Sequence, residues 1–364
     1  MKIGIVGLPN VGKSTFFNAL TSAGVDAENY PFCTVDPNVG VVKVPDSRLD
    51  KLHEMNPDKE KTPVVIEFID IAGLVEGASR GEGLGNQFLG QIREVDAIVH
   101  VVRCFEDDNI SHVNDSLAPL QDIEIINTEL ILADLDVLKK VLDKNERMLK
   151  SGKKEYQKKQ KILTGFIEKL QQGKNIREIN IGAEGQKLVR EYQLLTAKPV
   201  LYLANVGEDV LEGDKKSAVL KVKEYAAKND AQFIEICARL EEDLAELEPE
   251  EKEFFLQEMG IKNTGLTRVI RKSFTLLDLI TFFTMAGARE VRASTVKKGA
   301  SAPEAAGQIH SDMQEGFIKA EVVHFDDLYR EGSLNAAREQ GLLRLEGKDY
   351  IVQDGDICFF RFNK

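Results

Sequence analysis

An eight-residue stretch near the start of the chain constrains the fold more than any other. Gly7-Leu8-Pro9-Asn10-Val11-Gly12-Lys13-Ser14 fits G-x-x-x-x-G-K-[ST], the phosphate-binding loop. A strand-like run, Lys2 to Val6, precedes it, and a helix-like run, Thr15 to Leu20, follows it. That strand–loop–helix context is what the motif requires. Backbone N–H groups of such a loop turn inward around phosphates, and the helix N-terminus behind them adds a favourable dipole. Glycines are needed because side chains would block the close approach. Lys13 is expected to reach the β- and γ-phosphates, and the Ser14 hydroxyl to ligate Mg²⁺. Asn10, Val11, Gly12 and Thr15 complete the expected nucleotide contacts of the loop.

The loop alone does not separate kinases, ATPases and GTPases. A second element narrows the choice. Asp70-Ile71-Ala72-Gly73 is a D-x-x-G at the end of a buried apolar run, Val64 to Ile71. Asp70 would hold Mg²⁺ through water, and the Gly73 N–H would sense the γ-phosphate. Thr34 lies between the two elements, in Pro31-Phe32-Cys33-Thr34-Val35-Asp36-Pro37. The order loop, Thr, D-x-x-G favours a switch threonine completing the Mg²⁺ shell over an ordinary surface hydroxyl.

Base choice is read from a third element. A GTPase carries N-K-x-D after a strand, and its Asp carboxylate accepts two hydrogen bonds from guanine. Here the strand ends in Asn205-Val206-Gly207-Glu208, an N-x-x-E. Glu208 changes the reach, and Val206 replaces the Lys that packs along the base. A site built to pair one base edge discriminates strongly when that edge changes. Guanine preference is therefore expected to weaken, with ATP the better substrate. Ala238, after the last strand, is placed near the base.

The residue after the D-x-x-G glycine is Leu74, where Ras-like enzymes carry a water-orienting Gln. Leucine has no donor or acceptor. Hydrolysis is then either slow or assisted by another group. Asn10 is one candidate: its side-chain oxygen would ligate K⁺ beside the phosphates and supply the charge of an arginine finger. His112, in Glu106-Asp107-Asp108-Asn109-Ile110-Ser111-His112, is the other, as a water-positioning group or as an ordinary surface histidine.

The 364 residues suggest two or three domains. A net charge of −12 argues against indiscriminate nucleic-acid binding by the whole surface but leaves room for a local basic patch. Cys33, Cys104, Cys237 and Cys358 form no C-x-x-C pair and read as small apolar residues suited to a reducing cytoplasm. Neither a signal peptide nor a membrane-spanning run is expected.

Apolar runs at Ala97–Arg103, Val200–Asn205 and Gln232–Cys237 join the first two strands in a parallel sheet covered on both faces. The expected fold class is α/β: a P-loop domain over 1–122 and 196–275, interrupted by a helical insertion over 123–195. Ile126, Leu130, Ala133, Val137 and Val141 follow helical spacing, as do Ile162, Phe166 and Leu170 further on. Ser151-Gly152 offers a break, so the insert reads as a coiled-coil-like hairpin with a third helical piece over Gly185–Leu195. Residues 139–161 carry ten Lys or Arg against three acids. That stretch is either a solvated lysine-rich face or an arm for RNA phosphates.

Residues 276–364 read as a compact β-grasp-like α+β domain. Strands are expected at Glu290–Val296, Phe317–Val323, Asp349–Val352 and Ile357–Phe362, with a helix over Ser301–Ser311. His310 and His324 read as structural or surface residues. Arg289, Arg292, Lys297 and Lys298 form a second candidate basic patch.

Taken together, GLPNVGKS, NYPFCTVDPN, DIAGLVEGASRGEGLGNQFL and the N-x-x-E at 205–208 resemble the YchF / Obg-like ATPase family. The stretch KKGASAPEAAGQIHSDMQEGFIKAEV and the ending DYIVQDGDICFFRFN resemble that family's last domain. The resemblance covers essentially the whole chain. It implies an Obg-type P-loop domain, a coiled-coil-like insertion and a C-terminal TGS domain. It implies a Mg²⁺-dependent hydrolase that prefers or accepts ATP over GTP, associated with ribosomes and linked to translation and stress. Asn10, Gly12, Lys13, Ser14, Thr34, Asp70, Gly73, Asn205 and Glu208 match the family's positions, Leu74 fits its pattern, and His112 matches the loop histidine the family is thought to use with K⁺.

The expected activity is cleavage of the β–γ phosphate bond of ATP as a slow molecular switch. The alternatives are a nucleotide-gated binding module with incidental hydrolysis, a GTPase, and more distantly a metabolic kinase. The ribosome is the expected partner, through the lysine-rich hairpin and the TGS-like domain. A cytoplasmic monomer is the working expectation.

Overall fold

The computed structural model describes residues 1–22, 38–71, 84–107, 117–149, 154–208, 217–261, 263–285 and 289–363. Among them the strands are, in chain order, β1 (Lys2–Val6), β2 (Val39–Lys43), β3 (Glu60–Thr62), β4 (Val65–Asp70), β5 (Ala97–Arg103), β6 (Val200–Asn205), β7 (Gln232–Ile236), β8 (Leu279–Thr284), β9 (Glu290–Lys297), β10 (Phe317–His324), β11 (Arg344–Glu346) and β12 (Asp356–Phe362). The first six helices are α1 (Lys13–Ser22), α2 (Ser47–Glu54), α3 (Leu84–Glu94), α4 (Pro119–Leu149), α5 (Lys154–Gln171) and α6 (Gly182–Tyr192). Two compact units result: Met1–Val42 with Glu67–Val269, and Lys43–Ile66 with Ile270–Lys364.

The first unit holds a sheet in the order β2-β4-β1-β5-β6-β7. Pairings from β4 through β7 are all parallel. Every residue of β5 and β6 is buried, as continuous apolar runs require when helices cover both faces. α1 buries Phe16, Phe17, Ala19 and Leu20. β1 has β4 on one side and β5 on the other, so successive crossovers leave β1 in opposite directions. In open α/β sheets, ligands bind beyond the strand carboxyl ends at such a switch point.

The insertion forms the helices its periodicity predicts. Leu138, Leu163, Phe166, Leu170, Ile176 and Leu188 bury a core of their own. Asn145 on α4 donates to the Tyr156 carbonyl (3.1 Å) and to Gln160 Oε1 (2.8 Å), pinning α5 alongside. The expected Ser151-Gly152 break falls outside the described residues. The third helix runs over Gly182–Tyr192 instead of Gly185–Leu195. Gln193 adopts a left-handed φ of 48° and ends it, and Leu195–Ala197 becomes a separate 3₁₀ turn. Asp134 of α4, fully buried, holds that turn by accepting from Leu195 N (2.9 Å), Thr196 N (2.8 Å) and Thr196 Oγ1 (2.6 Å).

The second unit's sheet runs β11-β10-β12-β8-β9-β3. It is buried on both faces. Ile280, Phe282, Val322 and Cys358 pack against helix Ala302–Ile309, while Phe283, Val323 and Ile357 pack against α2 and helix Phe325–Glu331. Alternate residues of one strand point to opposite faces, which produces this division.

Three sequence expectations change here. First, residues 43–66, read as part of the P-loop domain, belong to the second unit, and that unit begins at Ile270 rather than 276. β3 pairs in parallel with β9, Leu49 and Leu52 of α2 enter the second core, and Arg48 bonds Asp354 at 2.6 Å. Second, Asp349–Val352 is not a strand. The fully buried carboxylate of Asp356 accepts from Gln353 N (2.8 Å) and Tyr350 OH (2.7 Å), which folds this segment into a turn, and Ile351 keeps a single bridge to Ser301. Arg344–Glu346 pairs with β10 in its place. Third, the helix expected over Ser301–Ser311 is two helices. His310 Nδ1 accepts from Asp312 N (3.1 Å), capping Ser311–Glu315. His324 does the same for Phe325–Glu331. Both histidines are therefore helix caps.

Candidate nucleotide-binding cleft

The phosphate loop leaves β1 at the switch point and closes tightly. A Cβ at Gly7 would sit 2.6 Å from the Val101 carbonyl oxygen, so only glycine lets the loop pass β5. Gly12 has φ +92°, and its Cβ would collide with Asn205 Nδ2. Asn10 takes a left-handed φ of 62°, a conformation asparagine tolerates better than most residues.

A cleft of about 920 Å³ opens over this loop. Asn10, Gly12, Lys13, Ser14 and Thr15 form one side. The segments that follow β5, β6 and β7 form the rest: Phe105 to Asp107, Asn205 to Glu208, and Cys237 with Arg239, Glu242 and Asp243 of the helix Ala238–Glu246. Sequence motifs pointed to the first side and to Asn205, Val206 and Glu208. They did not single out Phe105, Glu106, Asp107, Arg239, Glu242 or Asp243. The signal that would have found them is positional: each follows the carboxyl end of a sheet strand.

Asn205 lines the cleft and also braces it from within. It is 5% exposed, and both ends of its amide are used within the protein. Nδ2 donates to the Val11 carbonyl (3.0 Å), and Oδ1 accepts from the Ala238 backbone N–H (3.0 Å). Asn205 thus ties the phosphate loop to the start of helix Ala238–Glu246. Val11 and Ala238, expected as nucleotide contacts, serve as the two anchor points of this brace.

Lys13 is 8% exposed, and its Nζ donates to the Leu8 carbonyl (2.8 Å), closing the loop on itself. Burial lowers its pKa, and the nearby negative charge of Asp70 opposes that shift. Burial likewise pushes the Asp70 carboxyl upward, with Lys13 opposing. One Asp70 oxygen, Oδ1, is buried without a hydrogen-bond partner among the described residues. Thr34, Gly73, Leu74 and His112 lie outside the described residues.

Among the described residues no three His, Cys, Asp or Glu side chains gather into a metal cage. Mg²⁺ seldom needs one: it takes one or two protein oxygens, waters and substrate phosphates. The Ser14 hydroxyl beside the cleft and the orphaned Asp70 oxygen suit that mode. Cys104, Cys237 and Cys358 are buried free thiols, and Cys33 lies outside the described residues. No described helix is long and apolar enough to cross a membrane.

A phosphate loop at the switch point of a parallel sheet, under a cleft lined by residues that follow β5, β6 and β7, defines a P-loop nucleotide-binding protein of the GTPase fold. A family model described as "50S ribosome-binding GTPase" matches residues 2–165. The YchF GTPase C-terminal model, described as a protein of unknown function, matches residues 279–363. The chain is 53% identical over 361 residues to the "Ribosome-binding ATPase YchF" of Bacillus subtilis, covering 99% of this chain and 98% of that protein. It is 50% identical over 362 residues to the protein of the same name from Escherichia coli O157:H7, covering 100% and 99%. The solved structure of the Schizosaccharomyces pombe YchF GTPase superposes with a TM-score of 0.87 at 36% identity, over 99% and 97% of the two chains. A GTP binding protein from Pyrococcus horikoshii, 22% identical, shares the fold with a TM-score of 0.61 over the whole of both chains. The chain belongs to the YchF family.

Proposed function

We propose that this chain is a Mg²⁺-dependent, ribosome-associated hydrolase that prefers ATP over GTP and works as a slow molecular switch. The observation that carries the base preference is the cleft-lining loop Asn205-Val206-Gly207-Glu208. Glu208 stands where a guanine-reading loop has Asp, and Val206 where it has Lys. Names of relatives support hydrolysis but divide on the substrate: the bacterial proteins are called ATPases and the fission-yeast structure a GTPase.

In the reaction, water oxygen bonds to the γ-phosphorus, the β–γ bridging P–O bond breaks, and ADP and phosphate leave. The loop N–H groups and the Lys13 ammonium offset charge on the β- and γ-phosphates. Ser14 and Asp70, with Thr34, would hold Mg²⁺, which neutralises phosphate charge when bound. Gly73 is proposed to sense the γ-phosphate. Asn10 is the proposed K⁺ ligand and His112 the proposed group that positions water. Buried asparagine at 205 keeps the phosphate loop in register with the base loop.

Ribosome association is proposed to use lysines of the helical insertion. Lys139, Lys140, Lys144, Lys154, Lys158 and Lys161 are exposed. Lys159 is committed elsewhere, donating to Glu191 (3.0 Å) and lying 5.0 Å from the Tyr192 ring centroid. In the second unit, Arg292 is half-buried and bonds Glu290, while Arg289, Lys297 and Lys298 are the exposed members of the TGS-like patch, Lys297 also donating to the Leu277 carbonyl. This reading implies a cytoplasmic protein and, as a proposal, a monomer.

Calorimetry of ATP against GTP with Mg²⁺ tests the substrate. Wild type should bind ATP more tightly, and Glu208→Asp should narrow the ratio. Tighter GTP binding by wild type returns the protein to the GTPases. For the arm, Lys154→Glu with Lys158→Glu should weaken ribosome association and flatten its salt dependence. An unchanged salt slope removes the arm from the binding surface.

A further inference from the structure

We propose that Arg103 is a positioning residue of the nucleotide cleft, holding the Phe105–Asp107 loop as the lip that faces the phosphate loop across the switch point. The inference rests on the nucleotide-site reading above.

Arg103 is the last residue of β5 and is 4% exposed. A buried cation is costly unless its donors are satisfied. Two of its hydrogen bonds run to the segment just ahead of it. Nε–H donates to the Phe105 carbonyl (3.2 Å), and Nη2–H donates to the Asp107 carbonyl (3.4 Å). The guanidinium carbon lies 4.6 Å from the Phe105 ring centroid. One planar group therefore holds two carbonyls and an aromatic face of the same short loop.

Strand pairing does not do this work. The Cys104 N–H bonds the Asn205 carbonyl (2.8 Å), and β5 ends there. Phe105, Glu106 and Asp107 come after that last ladder bond, and all three line the cleft. Arg103 is also paired in register with Asn205, whose side chain holds Val11 of the phosphate loop. The lip and the phosphate loop are thereby both referenced to the same strand ends. Lysine cannot substitute: an ammonium is a point charge and lacks the flat fork that stacks and bonds two carbonyls together.

The test compares wild type, Arg103→Lys, Phe105→Leu and the double variant for ATP Kd, steady-state kinetics and thermal melting. Arg103→Lys should raise ATP Kd and KM about tenfold while kcat stays within about threefold. If Arg103 acts through the lip, the double variant should lose no more than about twofold beyond the worse single variant. Hydrogen exchange at 104–107 should rise in Arg103→Lys without nucleotide. Arg103→Gln gives the same readouts should the lysine variant fail to fold. Additive losses, a kcat loss at unchanged KM, or unchanged exchange at 104–107 would overturn the proposal. Wild type that binds neither ATP nor GTP would sink the nucleotide-site reading itself, and this inference with it. Nucleotide-binding wild type beside an unaffected Arg103→Lys sinks this inference alone.

Discussion

Asn205→Ala should damage stability and nucleotide affinity together. The alanine removes two buried hydrogen bonds, to Val11 O and from Ala238 N, each 3.0 Å long. A typical hydrogen bond contributes about 1 kcal/mol net, and a buried partner left unsatisfied costs about 1–3 kcal/mol. At a residue only 5% exposed, water replaces little of this. The expected loss is about 2–4 kcal/mol of unfolding free energy. ATP Kd should rise at least about tenfold, since the phosphate loop loses its tie to the base side. The chain has no tryptophan, so urea unfolding is followed by circular dichroism, and binding by calorimetry. Asn205→Asp sharpens the test. It keeps the acceptor for Ala238 N–H but sets a carboxylate oxygen against the Val11 carbonyl, so it should be at least as damaging at pH 7. Acidification should partly restore it, because the protonated carboxyl donates again. Wild-type stability and affinity in Asn205→Ala would refute the reasoning.

Gly12→Ala should abolish tight nucleotide binding while leaving the chain folded, because a Cβ at φ +92° is strained and displaces the Asn205 amide; wild-type calorimetric affinity would contradict this. His100, 2% exposed on β5, has its pKa pushed down to about 3, first by burial and then by the charges of Arg177 and Lys13. Its ordinary value is 6.5. The folded state then binds fewer protons than the unfolded one, so this contribution is fully present above about pH 6.5 and is lost as pH falls toward 3. The loss should approach about 1.4 kcal/mol per pH unit. His100→Phe should flatten the acid limb of a stability–pH curve by about one proton, and superimposable limbs would show that the histidine does not titrate on unfolding.

The features legible in the sequence are those carried by neighbours along the chain. β1, the phosphate loop and α1 are adjacent, and their glycines announce a backbone that must approach phosphate. The strands Ala97–Arg103 and Val200–Asn205 agree with their observed bounds because continuous apolar runs suit a buried parallel sheet. Asn205 was found by motif, but its role as a brace was not legible. Its partner Val11 lies 194 residues away and is reached only through the strand order. The same holds for Lys159, whose place in a basic run hid its commitment to Glu191 on another helix.

By itself, then, the sequence determined the class of chemistry: a P-loop, a D-x-x-G, an altered base loop and a long helical insertion. Tertiary structure alone decided what those residues do together. It moved residues 43–66 into the second unit, since β3 is short and mostly exposed and becomes a strand through its register with β9. It also built the cleft's far side from Phe105, Glu106 and Asp107 and from Arg239, Glu242 and Asp243, residues with no motif. The physical reason is common to both: hydrogen-bond ladders and buried charges choose partners by proximity in space, and a linear pattern records only proximity along the chain.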